Sequence, residues 1–129
     1  AVSVIVRSQT SAIPEIPSFI LVQRGKEPNK GLWSLPGGKL ELGETTLEGG
    51  QRELEEECVV APTALKWYDG GAIAVTDSIH YENDDEPSSD TVLFHYVIAQ
   101  CFATAPSELP LVPSDDAADA DWFTLEAIS

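Results

Sequence analysis

The segment that begins at Gly38 and ends at Val60, GKLELGETTLEGGQRELEEECVV, constrains this chain more than any other. On a helix, residues three and four apart share a face, so Glu53, Glu56 and Glu57 would project together. Like charges at that spacing destabilise a helix slightly. A hard divalent cation between the carboxylates would make the arrangement favourable, because Mg²⁺ and Ca²⁺ bind oxygen ligands. We therefore predict that this helix is a metal-binding platform.

Signals on either side of the acidic residues predict where the helix begins and ends. Thr45 and Glu48 have the spacing of a capping box, and Pro62 cannot continue a helix. Gly49 and Gly50 would lie inside the helix, where each costs about 1 kcal/mol relative to Ala. Either another part of the chain packs tightly there or the helix is locally weak. The apolar stripe that should face a sheet consists of Leu47, Leu54 and Cys58.

Short apolar and β-branched runs elsewhere predict a sheet around this helix. We expect strands at residues 2–6, 19–23, 39–42, 64–68, 72–75 and 91–103. Segments rich in Pro, Gly, Ser and Asp predict loops at residues 10–18, 24–31, 82–90 and 105–119. Trp122 and Phe123 return to the core, and a helix begins at residues 124–129. Strands without regular βαβ alternation predict a mixed-sheet α/β or α+β sandwich, and 129 residues fit a single domain.

The charge of the chain limits its partners. A net charge of −15 argues against binding to a nucleic acid polymer, which requires a basic surface. An acidic protein that handles phosphates needs metal ions and a few placed cations. No apolar run has the length of a membrane span and no segment reads as a signal peptide, so we expect a cytoplasmic protein. An upstream targeting segment could be missing, because the chain begins at Ala1 without Met. Cys58 and Cys101 read as small buried apolar residues.

The acidic segment resembles the Nudix box: Gly, five residues, Glu, seven residues, Arg-Glu, an aliphatic residue, any residue, Glu-Glu, any residue, Gly and an aliphatic residue. The residues in register are Gly38, Glu44, Arg52, Glu53, Leu54, Glu56, Glu57 and Val60. Val59 stands where the family has Gly. The preceding GLWSLPGG and the later DWF also resemble the family.

This resemblance implies an α/β/α sandwich with a mixed β-sheet and a loop-helix-loop catalytic motif, in one domain spanning residues 1–129. It also implies hydrolysis of the diphosphate linkage in a nucleoside diphosphate joined to another group, with Mg²⁺ or Mn²⁺ as cofactor. By position, Glu56 and Glu57 would be the principal metal ligands. Glu53 would be a further ligand or the general base, and a backbone carbonyl near Gly37 or Gly38 would complete the coordination.

Positively charged residues have supporting roles in this hypothesis. Arg52 would hold the carboxylates in place, and Glu44 would support it. Arg24, Lys39 and Lys30 are candidates for contacts with substrate phosphates, and a solvated surface charge is the alternative for each.

Val59 predicts a departure from the family at the end of the helix. Gly would serve there as a left-handed cap, and a β-branched residue tolerates positive φ poorly. We therefore expect a different helix exit, with activity retained and stability lowered.

Other side chains remain open to two interpretations. Trp33 should pack in the core, and His95, inside an apolar strand, should be a hydrogen-bonded core histidine rather than an acid-base group. Four side chains near loop ends could stack on a nucleobase, although each is more often structural: Trp67, Tyr68, His80 and Tyr81. An extra metal ligand or base could come from the acidic loops, at Asp115, Asp116, Asp119 or within residues 82–90.

Three functions compete. A metal-dependent pyrophosphohydrolase that acts on a small nucleotide, of the ADP-ribose type or a nucleoside triphosphate, explains most of the pattern. A nucleotide sensor with little turnover would keep the same fold. A Ca²⁺ buffer fits poorly, because no EF-hand spacing is present. The resemblance leaves a homodimer open, and the sequence identifies no interface for one.

Overall fold

The computed structural model describes residues 1–9, 15–27, 29–81 and 91–128. In chain order the elements are β1 (Val2–Ser8), β2 (Ser18–Arg24), β3 (Trp33–Ser34), β4 (Gly37–Gly38), α1 (Thr46–Cys58), a 3-10 turn (Pro62–Ala64), β5 (Lys66–Trp67), β6 (Ala74–Tyr81), β7 (Val92–Ala105), β8 (Ala117–Thr124) and α2 (Leu125–Ile128). In these described ranges, no helix is both long and apolar enough to span a membrane.

The described strands form one mixed eight-stranded sheet. Its path runs β3-β2-β1-β7-β5, while β4 pairs with β1, β6 with β7, and β8 with β2. β1 and β7 are parallel, from Val2 opposite Ala99 to Ser8 opposite Ala105, and the other pairs are antiparallel. The mixed α/β architecture predicted from the sequence is therefore present.

Helix α1 packs on one face of this sheet, over β1 and β7. Leu54 and Cys58 are fully buried beside Val4 and Ala103. A Cβ atom at Gly50 would lie 3.1 Å from Val4 Cγ2, so a larger residue would push α1 away from the sheet. Of the two explanations for the mid-helix glycines, tight packing is the correct one at this position.

The start of α1 follows the prediction from the sequence. Thr45 caps the helix: its Oγ1 accepts a hydrogen bond from the Glu48 N–H at 3.1 Å, and Glu48 Oε1 accepts one from the Thr45 N–H at 3.2 Å. This reciprocal pair satisfies two N–H groups that have no partner within the helix. The cap fixes the direction in which the acidic face of α1 points.

The predicted departure at the end of α1 is wrong. Val59 adopts the left-handed conformation, with φ 56° and ψ 46°, and its N–H donates to Glu55 O at 3.0 Å. The following contacts require this exit, because Val60 returns at once to the core. The carbonyl of Cys58 then accepts a hydrogen bond from the Val112 N–H at 3.0 Å. Tertiary anchoring on both sides outweighs the local preference of a β-branched residue.

The predicted strand at residues 39–42 is also wrong. Those residues have no strand structure, and the neighbouring Gly37–Gly38 pairs with β1 instead. Arg52 Nη2 donates to the carbonyl of Lys39 at 3.0 Å, which draws this segment towards α1. Alternating hydrophobicity without a partner strand was misleading here, and the side chain of Leu42 is fully exposed.

The remaining strands differ mainly in their bounds. The strand expected at residues 72–75 is β6, Ala74–Tyr81, and the one expected at residues 64–68 is reduced to Lys66–Trp67. The long strand expected at residues 91–103 is confirmed as β7. The loop expected up to residue 119 ends earlier, where β8 begins at Ala117. The predicted loop at residues 82–90, and residues 10–14 of another, lie outside the described residues.

Candidate active site

The acidic face of α1 lies against the backbone of β4. Glu53 and Glu57 are buried, whereas Glu56 is half-exposed. Glu57 Oε1 accepts a hydrogen bond from the Gly37 N–H at 3.3 Å. A Cβ atom at Gly38 would lie 2.6 Å from Glu53 Oε1, so only glycine lets the chain pass this close to the carboxylate. Two carboxylates and the Gly37–Gly38 backbone thus meet at one point.

Arg52 connects the acidic residues. Its Nε donates to Glu44 Oε2 at 2.7 Å and its Nη2 to Glu44 Oε1 at 2.9 Å, a paired contact. Its Nη1 donates to Glu53 Oε1 at 3.0 Å and to Glu56 Oε2 at 3.3 Å. The guanidinium lowers the pKa of Glu44 to about 2, and Glu44 in turn raises the pKa of Arg52. The geometry matches the holding role that the sequence suggested for Arg52.

Glu57 has the opposite electrostatic environment. The pKa of Glu57 rises to about 8, mainly because the carboxyl group is buried. A hydrogen bond to Glu53 and repulsion from the charge of Glu53 raise it further. The Gly37 N–H counteracts this shift only in part. A buried carboxylate whose pKa is raised in this way is a site at which a cation is favourable, because a cation stabilises the charged form.

The donors at this point fit a divalent cation only if one of them moves. In the described ranges, no three side chains of His, Cys, Asp or Glu lie close enough together to hold a metal ion as they stand. The oxygen atoms of Glu53 and Glu57 suit Mg²⁺ or Mn²⁺ chemically. The third carboxylate, Glu56, is turned towards Arg52 but is half-exposed and can rotate. The residues therefore fit such an ion once Glu56 leaves Arg52.

A cavity of about 500 Å³ opens beside these carboxylates. Arg24 and Lys39 line it together with Glu53, Glu57 and Arg52. The structure therefore brings both predicted phosphate-binding residues to the carboxylates. Lys30 is not among the residues that line this cavity.

A second, mainly apolar cavity of about 320 Å³ adjoins the first and shares Gly37 and Gly38 with it. Thr76 and Ile98 line its far side. Ser3 also lines it, and its buried Oγ has no hydrogen-bond partner in the described part of the chain. No feature of the sequence indicates these residues, because their approach depends on how β1, β6 and β7 pair.

Asp115 stands out among the three acids that the sequence offered as extra ligands or bases. It lines the 500 Å³ cavity, and its charge contributes to the raised pKa of Glu57. Asp116 also lines the cavity but forms an ion pair with Lys26 at 2.6 Å. Asp119 Oδ1 accepts a hydrogen bond from the N–H of the next residue and does not line the cavity. A role for Asp115 at the site remains a prediction.

The aromatic candidates lie outside the two cavities. His80 stacks on Phe94 with ring centroids 4.4 Å apart, and Trp67 Nε1 donates to the carbonyl of Pro62 at 2.9 Å. Tyr68 and Tyr81 do not line either cavity.

Two further aromatic predictions need correction. His95 is not in the core: its side chain is exposed and lies 2.9 Å from Asp77 Oδ1. Trp33 is partly exposed and packs edge-on against Phe123, with centroids 5.0 Å apart, so its packing role holds without full burial.

A family model described as NUDIX domain matches residues 1–129. The chain belongs to the NUDIX domain family. The 8-oxo-dGDP phosphatase NUDT18 of Homo sapiens is 42% identical over 45 residues, which are 35% of this chain and 14% of that protein. The ADP-ribose pyrophosphatase of Methanocaldococcus jannaschii is 29% identical over 107 residues, 83% of this chain and 54% of that protein.

Among solved structures, the Nudix hydrolase RenU from M. smegmatis is similar with a TM-score of 0.70 at 16% identity, over 95% of this chain and 68% of that one. This similarity confirms the Nudix fold. The chain spans about half the length, or less, of the curated relatives that it matches. The metal and the roles of individual site residues stay predictions.

Proposed function

We propose that this Nudix domain hydrolyses a phosphoanhydride bond in a nucleoside diphosphate joined to another group, with Mg²⁺ or Mn²⁺ as cofactor. The observation that carries the proposal is the meeting of two buried carboxylates, Glu53 and Glu57, with Arg24 and Lys39 around one cavity. An anionic substrate needs positive charge, and a cation would stabilise the buried carboxylate of Glu57, whose pKa burial raises. One divalent ion between the substrate and the carboxylates would meet both needs.

An ADP-ribose-type substrate is our first choice, and a nucleoside triphosphate is the second. The similarity to an ADP-ribose pyrophosphatase extends over most of the chain, which supports the first. The two adjoining cavities suit a two-part substrate: the polar one suits phosphates, and the apolar one suits a nucleoside. Ser3 Oγ would then gain the partner that it lacks in the described residues.

Each protein group has a task in this reaction. When bound, the metal ion supplies charge neutralisation and an acidified water. Glu57 and Glu56 would hold the ion, and Glu53 would be a further ligand or accept the proton of the attacking water. In the hydrolysis, a water molecule would add to one phosphorus atom while the bond from that phosphorus to the bridging oxygen breaks, and the bridging oxygen would leave with the other half of the substrate. Arg52 positions the carboxylates through its hydrogen bonds.

A second candidate function is a nucleotide sensor with little turnover. The observation that favours it is the bond between Arg52 and Glu56, which leaves no ready-made metal cluster among the described residues. If that bond persists with nucleotide and metal present, the chain could bind a substrate without cleaving it.

A substrate panel with product identification separates these functions. ADP-ribose, normal and oxidised nucleoside triphosphates, and 8-oxo-dGDP would each be incubated with Mg²⁺ or Mn²⁺. We expect metal-dependent cleavage of ADP-ribose to AMP and ribose 5-phosphate, lost in Glu57→Gln and retained in Glu55→Gln, an exposed position on the same helix. Tight binding without products would support the sensor. Calorimetric metal affinity that is equal in wild type and Glu57→Gln would contradict both the metal site and the hydrolase.

A further inference from the structure

The wall of the apolar cavity continues beyond that cavity as a row of aromatic side chains on β6 and β7. In this antiparallel pair of strands, Thr76 lies opposite Ile98, and both residues line the cavity. Side chains two residues apart on a strand point to the same face of the sheet. Two more cross-strand pairs therefore follow on the face of the cavity: Ser78 with Tyr96, and His80 with Phe94. The catalytic proposal does not use these two pairs.

The three rings in this row, which we call the aromatic platform, are His80, Phe94 and Tyr96. His80 stacks on Phe94 with ring centroids 4.4 Å apart, and the Tyr96 ring lies 5.2 Å from the Phe94 ring at a tilt of 55°. A hydrogen bond of 3.0 Å between Ser78 Oγ and His80 Nε2 holds the imidazole. Phe94 and Tyr96 are nevertheless 44% and 41% exposed. The platform thus presents ring surface that is already ordered, so covering it with a ligand costs little conformational entropy.

The charge distribution on these strands suits an uncharged ring. Residues 74–81 and 92–100 contain no Lys or Arg. Their one acidic residue, Asp77, belongs to the opposite face of the hairpin, where its Oδ1 lies 2.9 Å from His95 Nε2. A chain with a net charge of −15 repels the phosphates of a nucleotide. The aromatic platform can contact the base of that nucleotide without adding to the repulsion.

The aromatic platform and helix α1 lie on opposite faces of the sheet. A Cβ atom at Gly50 in α1 would lie 3.5 Å from Cys101 Cβ, so Cys101 faces the helix. Tyr96 lies an odd number of residues away on the same strand and therefore faces the other way. The polar cavity beside the carboxylates and the apolar cavity meet at Gly37 and Gly38, which line both. A diphosphate at the carboxylates can therefore be joined at this point to a nucleoside on the far face.

We propose that the aromatic platform binds the base of the nucleotide substrate, an inference that rests on the proposed function. The sugar lies in the apolar cavity, against Ile98. The base stacks on Tyr96 and Phe94, which begin one step of about 7 Å further along β7. Aromatic rings bind the face of a base and do not read the hydrogen-bonding groups on its edge. We therefore expect this site to require a base on the substrate but to have only a weak preference among bases.

A matched pair of ligands, AMP and ribose 5-phosphate, tests the contact with the base without any turnover. The two differ by the adenine ring, and their affinities would be measured by calorimetry in the same Mg²⁺ buffer. We expect AMP to bind at least about 10-fold more tightly, because stacking of one base on aromatic side chains has an effect of this size. Tyr96→Ala should remove this preference and leave the affinity for ribose 5-phosphate unchanged. Tyr96→Phe keeps the ring and should retain the preference.

Two variants are matched controls for Tyr96→Ala. Ile79→Ala changes a side chain of similar exposure, 42% against 41%, on the opposite face of the same hairpin. Tyr68→Ala removes the same kind of ring, 50% exposed, at a position that lines neither cavity. Both should keep the preference for AMP. In the hydrolysis of ADP-ribose, Tyr96→Ala should raise KM about 10-fold with little change in kcat, because the stacked base is bound equally in the ground state and the transition state.

NMR titration of the unmodified protein provides a test that is independent of any substitution. AMP should shift the ring proton resonances of His80, Phe94 and Tyr96, and ribose 5-phosphate should leave them in place. The absence of an AMP-dependent shift up to millimolar concentration would overturn the proposal, as would equal affinities for the two ligands or a preference for AMP that survives Tyr96→Ala. Ring shifts that follow the protein concentration rather than AMP would also overturn it, because the face would then be a contact between copies of the chain.

This proposal and the proposed function fail in different ways. If the wild type cleaves ADP-ribose but AMP does not shift the rings, the hydrolase stands and the aromatic platform is refuted. If AMP shifts the rings but no nucleotide is cleaved with Mg²⁺ or Mn²⁺, the aromatic platform stands and the hydrolase is refuted.

Discussion

Val59→Gly should stabilise this protein, although it removes a large apolar side chain. Val59 holds φ at 56°, and it is one of three non-glycine residues with positive φ among those the structure describes. For an L-residue this conformation costs about 1–2 kcal/mol, and branching at Cβ favours the upper end of that range. Glycine adopts it without strain. The strain released in the folded state is therefore about 2 kcal/mol.

Two losses offset part of this gain. Glycine gives the unfolded chain more freedom, which costs about 0.7 kcal/mol. The side chain of Val59 is 55% exposed, so its removal forfeits only about 0.5 kcal/mol of apolar contact. The net stabilisation should be about 1 kcal/mol, which corresponds to a rise of about 4 °C in Tm for a chain of this length.

Val112→Gly is the matched control, because Val112 is also 55% exposed but does not have a positive φ. It suffers both losses without the gain, so its Tm should fall by about 4 °C. The difference between the two variants isolates the strain at Val59. Thermal and denaturant unfolding monitored by circular dichroism would measure both. If Val59→Gly lowers Tm as far as Val112→Gly does, the left-handed residue stores no strain and the reasoning fails.

Three further predictions concern the site. Gly38→Ala should displace the Glu53 carboxylate, since a Cβ atom would lie 2.6 Å from Glu53 Oε1. We expect the metal affinity measured by calorimetry to fall by about 10-fold or more. An unchanged affinity would contradict the close approach. Arg52→Lys keeps the charge but cannot reproduce the paired contact with Glu44. We expect kcat to fall about 10- to 100-fold with little change in KM. A purely structural role of Arg52 would instead lower Tm and leave kcat unchanged. Because Arg52 depresses the folded-state pKa of Glu44 to about 2, Glu44 contributes stability above pH 4.5 that is lost as the pH falls towards 2. Glu44→Gln should therefore flatten this acid limb of the stability profile, and an identical limb in both proteins would disprove the linkage.

The parts of this molecule that could be predicted from sequence are those set by local geometry. The Thr45 cap and the shared face of Glu53 and Glu57 follow from helical periodicity and from spacings of three or four residues. The contact of Arg52 with Glu56 follows from the same spacing. Long strands such as β7 were recognised because an apolar β-branched run has few alternatives.

The parts that could not be predicted depend on distant segments. Arg52 binds Glu44 and the carbonyl of Lys39 as well as its helical neighbour, and nothing in the spacing indicates those partners. Asp115 reaches the site only because the segment before β8 is fixed to the end of α1, where the Ser114 N–H donates to Glu57 O at 3.0 Å. The cavity beside Thr76 depends on strand pairing in the same way.

The balance of charge around α1 supports the cation that we propose for this site. Four carboxylates converge here, from Glu44, Glu53, Glu56 and Glu57, and three of them share the single guanidinium of Arg52. The two shortest hydrogen bonds of Arg52 go to the two carboxylate oxygens of Glu44, so little of the positive charge of Arg52 remains for the other carboxylates. Burial and the contact with Glu53 disfavour the charged form of Glu57, which the Gly37 N–H supports only in part, so a further cation would stabilise this carboxylate. An ion that does so would also weaken the hold of Arg52 on Glu56, because both compete for the same oxygens. Metal binding and the release of Glu56 should therefore occur together, which would turn a site without a ready-made metal cluster into one with three ligands.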